Sequence, residues 1–209
     1  MKLNKKGFTL IELLAVITIM GILMMVAIPA VSRTIENSRR DTFGNLTKQY
    51  VEAVRNAIIA DELQCGGKSV SATTAGHYYY LISTDAALTA KAVSNTTDLM
   101  ESGGKSSWGN NNVIGMVVWD KQDSASGATS GFRITYYAML VDEGNHGLPV
   151  ITEETTIKRS NILANTSSTA KYDEIKTLAG LQAKAATTPG LTGLKFSGTG
   201  AAVQCELNV

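Results

Sequence analysis

Cysteine and histidine are scarce in this chain of 209 residues, with two of each: Cys65 and Cys205, His77 and His146. Two thiols cannot build a four-ligand structural zinc site, and neither histidine stands at ligand spacing to them. No long basic block and no basic–aromatic stripe occurs, so specific nucleic-acid binding has no support. Formal charge is +1, from 19 basic and 18 acidic side chains. Gly66-Gly67-Lys68-Ser69 and Gly103-Gly104-Lys105-Ser106 end like phosphate-binding loops. The leading glycine of such a loop is missing from both, with Glu62 in its place in the first and Leu99 in the second, so both read as turns. His146 has no serine or cysteine nucleophile that the sequence places beside it. No catalytic arrangement emerges, the chain does not read as an enzyme, and no cofactor or metal is implied.

A second set of absences lies at the N-terminus. Lys2, Lys5 and Lys6 precede a long apolar run, yet no A-x-A-like site follows that run, as a discarded export signal would require. From Phe8 to Val31 the run covers about 24 residues, roughly 36 Å as a helix, enough to cross a hydrocarbon core of about 30 Å. Arg33, Arg39 and Arg40 lie just beyond it, so charge flanks both ends and orientation is only weakly set by charge. No Lys, Arg or His between Phe8 and Ile28 offers Glu12 a partner on its own helix. An unpaired carboxylate costs several kcal/mol in an apolar medium. Glu12 either meets a cation from outside the run or snorkels toward the headgroups.

The stretch Lys5-Lys6-Gly7-Phe8-Thr9-Leu10-Ile11-Glu12-Leu13-Leu14 resembles the prepilin signal of type IV pilins and of the pseudopilins of type II secretion and competence systems. The resemblance covers about the first thirty residues. It implies that a membrane prepilin peptidase cuts between Gly7 and Phe8 and methylates the new amine. It also implies a cytoplasmic leader, an outward C-terminal part, and a helical filament of this and other pilins raised on an inner-membrane assembly platform. The subunit would reside in the cytoplasmic membrane before assembly and in an extracellular pilus afterwards. Glu12 would pair with a neighbour's N-terminal amine and set the register. Gly21 and Pro29 would bound a soft part of the stalk, since glycine weakens a helix by about 1 kcal/mol and proline by about 3 kcal/mol. Loss of three leader lysines would take the basic count from 19 to 16 against 18 acids, a side-chain balance of −2. The alternatives are a pseudopilin of a secretion or DNA-uptake machine, and a membrane-tethered binding domain.

The expected organisation is a leader over 1–7, a membrane-spanning or filament-core helix over 8–31, its amphipathic continuation over 32–64, and a β-rich head over 65–209. Ile35, Phe43, Leu46, Tyr50, Val54 and Ile58 recur at mostly helical steps with charges between them. Gly66-Gly67 would end that helix, with Cys65 closing it. His77–Ile82, Val113–Trp119 and Phe132–Val141 read as strands, the last two joined by a polar hairpin loop. Alternation would send two of His77, Tyr78, Tyr79 and Tyr80 to the core and two to the surface. Short helices are predicted over Asp85–Val93 and Tyr172–Ala186, and Gly193–Phe196 and Ala201–Leu207 would complete the sheet. The fold class is α+β: a long helix packed by its second half on an antiparallel sheet. Asp120, Asp123 and Ser124, or Asp142, Glu143 and Asn145, read as solvated loop groups, because their spacing fits no defined calcium loop. Cys65 and Cys205 either stay free or form a bridge. The resemblance favours the bridge, which would close a loop of about 140 residues, worth on the order of 5 kcal/mol.

Overall fold

The computed structural model describes residues 8–60, 64–65, 68–69, 75–83, 105–109, 111–123, 132–164, 171–176, 180–181, 183–184, 187, 195–196 and 206–208. The leader, the expected helix Asp85–Val93 and Cys205 lie outside them. The chain divides into two compact units, Met1–Ser38 and Arg39–Val209.

Helix α1 runs from Leu10 to Ile59, through Pro29. Every side chain from Phe8 to Ile35 is exposed, and this part is long and apolar enough to cross a membrane. Ile35, expected on the packed stripe, is 48% exposed. The stripe begins at Phe43 and continues through Leu46, Thr47, Tyr50, Val51, Val54, Ala57 and Ile58, all buried. Its steps of three and four keep one helix face against the sheet. α1 ends at Ile59, short of residue 64, and its last turn carries no basic residue. Asp61 and Glu62 follow directly, and acids oppose the negative pole of a helix C-terminus. Cys65 therefore lies beyond the helix, in β1 (Gln64–Cys65), which pairs antiparallel with β2 (Lys68–Ser69).

The main sheet comprises β3 (Gly76–Ser83), β4 (Val113–Asp123), β5 (Phe132–Asp142), β6 (Gly147–Glu153), β7 (Lys195–Phe196) and β8 (Glu206–Asn208). Its order is β6-β5-β4-β3-β8-β7, antiparallel at each pairing. β4 and β5 pair without a break from Val113↔Asp142 to Asp123↔Phe132, as the hairpin reading expected. Gly115 lets this ladder close up, because a Cβ there would lie 1.9 Å from the Met139 carbonyl oxygen.

Both sheet faces are covered. Tyr78, Tyr80, Val117, Trp119, Ala138 and Leu140 pack with the α1 stripe. Tyr79, Leu81, Met116, Val118, Met139 and Val141 pack on the opposite side with Ile175 and Leu181. Hence Tyr78, Tyr79 and Tyr80 are all buried and His77 is half-buried, in place of the expected two-and-two split. The reverse layer includes α2 (Lys171–Ile175), which covers the start of the helix expected over Tyr172–Ala186; Lys176 is a bend, and residues 180–181 and 183–184 are helical again. β7 and β8 fall within or beside the two expected C-terminal strands and are shorter.

β6 has no counterpart in the sequence reading. It is an edge strand containing Pro149, with a register shift opposite Ala138–Leu140. An edge strand at a bulge is where a residue without an N–H is tolerated. Beyond β6, residues 154–162 return along α1. Glu154 pairs with Arg55, whose guanidinium lies 4.7 Å over the Tyr136 ring, and Arg159 pairs with Asp41. Ile157 and Ile162 are buried between these ion pairs.

Burial pushes the Tyr50 and Tyr79 hydroxyls from 10.0 up to about 12. A folded pKa above the unfolded one stabilises fully below the unfolded value and is lost as pH rises through the folded value. Unfolding is therefore expected between about pH 10 and about pH 12, monitored by tyrosinate absorbance beside circular dichroism. Full tyrosinate formation at pH 10 with the fold intact would contradict it.

Candidate functional site

Two places concentrate chemistry. The first is the start of α1. Thr9 occupies the N-cap position and Glu12 the third helical residue. The Thr9 amide and hydroxyl both donate to Glu12 Oε2, each at 2.8 Å, and the Glu12 amide donates back to Thr9 Oγ1 at 3.4 Å. This is a capping box, which satisfies donors that a helix start leaves open. Among the described residues Glu12 meets no cation, and its hydrogen-bond partner is Thr9. The Thr-x-x-Glu spacing is a local signal for this box, separate from the charge pairing that an acid in an apolar run suggests.

Gly21 and Pro29 both lie inside a continuous α1. A Cβ on Gly21 would meet nothing within 4 Å. Pro29 brings no N–H to the Met25 carbonyl four residues earlier. Phe8 is 89% exposed, and Gly7 lies outside the described residues.

The second place is the turn between β5 and β6. Asp142 is fully buried, a correction to its reading as a solvated acid. Its Oδ2 accepts the Ser106 hydroxyl at 2.5 Å. Its Oδ1 accepts the His146 amide at 2.8 Å and His146 Nδ1 at 3.0 Å. A carboxylate oxygen accepts, so this contact suits the tautomer with its proton on Nδ1. Trp108 stacks on the imidazole, with centroids 4.7 Å apart and planes 5° apart, and also meets Phe43 at 5.7 Å. Asn145 takes a positive φ of 63°, and its Oδ1 accepts the Tyr172 amide at 2.8 Å.

Serine, aspartate and histidine thus come together, a juxtaposition the sequence did not place. Their connectivity is wrong for nucleophile activation, since Ser106 donates to the carboxylate and not to the imidazole. The cluster joins the 105–112 segment, the β5–β6 turn, α1 and α2. Asp120 is half-buried, with Gln122 Nε2 at 2.8 Å and His77 Nε2 at 3.5 Å. Glu143 is exposed and accepts from Asn112 Nδ2 at 2.9 Å. Among the described residues, no group of three or more His, Cys, Asp or Glu is arranged to hold a metal ion.

The head is α+β, and the first part of α1 is apolar, exposed and long enough to cross a membrane. Residues 2–28 match the family described as the prokaryotic N-terminal methylation motif, the type IV pilin/prepilin signature. The motif supports a type IV pilin-like or pseudopilin protein. The match ends at residue 28, so the head is outside it. Neither the curated proteins nor the solved structures return a match.

Proposed function

We propose that this chain is a structural subunit of a type IV pilus-like filament, cut after Gly7, methylated on Phe8 and polymerised through α1. The carrying observation is the apolar first part of α1, exposed all round from Phe8 to Val31, whose single carboxylate, Glu12, sits in a capping box within the methylation motif. Before assembly the segment Phe8–Val31 resides in the cytoplasmic membrane with the head outside. In the filament it packs against the same segment of other subunits, and Glu12 exchanges or supplements its Thr9 contact with a neighbour's N-terminal amine. Gly21 to Pro29, where the helix is weakest, yields during packing. The work is mechanical and adhesive. Prepilin peptidase, other pilins and an inner-membrane assembly platform are the partners.

The same motif serves the pseudopilins of secretion and DNA-uptake machines, which build short filaments. N-terminal mass spectrometry of material sheared from expressing cells separates the two readings. Abundant sheared protein starting at N-methylated Phe8 supports the pilus subunit, and processed protein confined to the membrane fraction supports the pseudopilin. An uncut Met1 terminus beside an active peptidase overturns both. Glu12→Ala should leave cleavage intact and reduce incorporation at least about tenfold, since the lost pairing is worth more than about 1.4 kcal/mol in an apolar setting. Wild-type amounts of filament from that variant would remove Glu12 from assembly.

A further inference from the structure

The unit that begins at Arg39 is basic where it begins. Arg39, Lys158 and Arg159 are exposed and Arg40 is half-buried. Arg159 donates through Nε to Asp41 Oδ1 at 2.7 Å, which brings Lys158 to the level of α1 where Arg39 and Arg40 stand. Arg39, Arg40, Lys158 and Arg159 thus gather around one carboxylate that the contacts place among them, Asp41. Arg39 and Lys158 form no ion pair with another described residue. Ser107 donates to the Arg39 carbonyl at 2.9 Å, so the half-buried ring of Trp108 adjoins the patch. Arg39 follows Val31, the end of the apolar segment, after a stretch of chain that reaches at most about 28 Å even if fully extended.

We infer that this patch is a headgroup seat: before assembly it rests on the anionic phospholipids of the membrane that α1 crosses. The inference rests on the anchoring reading above and assigns a partner to the head itself. Sign decides the occupant. Lipid phosphates accept from guanidinium and ammonium donors. Each Lys or Arg near an anionic surface adds to the attraction, within a Debye length of about 8 Å at physiological salt. A copy of the same patch would present its own sign and be repelled. Proximity decides between lipid and other anions, because a short tether holds the patch at a high effective concentration of headgroups and a free anion has no such advantage. Cations on the outer flank of a span do not help to orient it, so topology leaves Arg39 unexplained. The seat holds the head at the surface, and entry into a polymer must break it.

The test reconstitutes the full chain into vesicles of phosphatidylcholine, alone or mixed with phosphatidylglycerol, with nitroxide on a fraction of the headgroups. Quenching of tryptophan fluorescence is the readout. It reports Trp108, because Trp119 stands opposite Tyr136, about 20 Å along β5 from Asp142. At low salt, quenching should be at least about twofold greater with phosphatidylglycerol. The difference should vanish near about 1 M salt, where the Debye length falls to about 3 Å. Arg39→Glu/Lys158→Glu should abolish it, and Arg133→Glu, at the far end of β5, should retain it. Exchanging chloride for inorganic phosphate at equal ionic strength should leave it unchanged. Circular dichroism confirms that each variant folds, and if the double variant does not, Arg39→Gln/Lys158→Gln is read by the same criterion. Equal quenching of the wild type in both lipids would overturn the seat. So would a difference that survives the double variant, one that Arg133→Glu removes equally, or one that inorganic phosphate removes. Wild-type protein that fails to float with either vesicle would instead overturn the anchoring reading.

Discussion

Replacing Asp142 with alanine is expected to lower the melting temperature of the full chain in detergent by about 10 °C. The carboxylate is fully buried and accepts from the Ser106 hydroxyl, the His146 amide and the His146 ring. Hydrogen bonds to a charged group are worth about 1.5–3 kcal/mol, and each orphaned buried donor costs about 1–3 kcal/mol. These terms overlap, so a loss of about 3–5 kcal/mol is the reasonable sum for removing one member of such a buried set. For a domain of this size each kcal/mol moves the melting temperature by about 2–4 °C. Asp142→Asn should cost less, because it keeps the shape but presents N–H groups to donors. A drop under about 1 kcal/mol for the alanine variant would mean that the cluster does not hold its four segments together.

Gly147→Ala is expected to cost about 3 kcal/mol or more, read as a shift in the denaturant midpoint at constant slope. Gly147 has φ +124°, where a side chain costs about 1–3 kcal/mol. Space is lacking as well. A Cβ would stand 2.4 Å from the Leu140 carbonyl oxygen and 2.6 Å from Phe43 Cε1, and overpacking adds about 1–3 kcal/mol. Gly109 provides the internal comparison, with φ +107° and nothing within 4 Å of its Cβ. Gly109→Ala should therefore show the backbone cost alone. Equal effects at the two positions would place the whole penalty in backbone conformation and none in packing.

What could be read from sequence was what is written locally. The methylation motif is contiguous, so the candidates Gly7, Phe8, Glu12 and Gly21 are legible within it, and Pro29 in the apolar run just beyond it. β3, β4 and β5 were found from dense β-branched and aromatic runs bounded by polar loops. β6 escaped because Pro149 argues against a strand unless its edge position is already known. The two-and-two split expected of His77 to Tyr80 fails for a related reason. Alternation tells which side chains share a face, but whether the second face is covered depends on Ile175 and Leu181, more than ninety residues away. The Ser106–Asp142–His146 cluster shares that difficulty, since 36 residues separate the serine from the aspartate and no short spacing announces them. Thr9 is the opposite case, a local signal overlooked because an acid in an apolar run directs attention to cations.

The outer strand of the sheet has a consequence for crowding. The polymer proposed above would bring many identical heads to very high local concentration, where any bare row of strand amides and carbonyls can recruit another sheet. β6 occupies such a margin, and Pro149 with its adjoining bulge interrupts the row that a neighbouring head would have to read. Fusion of heads along this margin is thereby discouraged even when they are forced into contact. In the filament proposed above, association would be left to the helices, and the heads could stand shoulder to shoulder without turning an ordered fibre into an amyloid-like one.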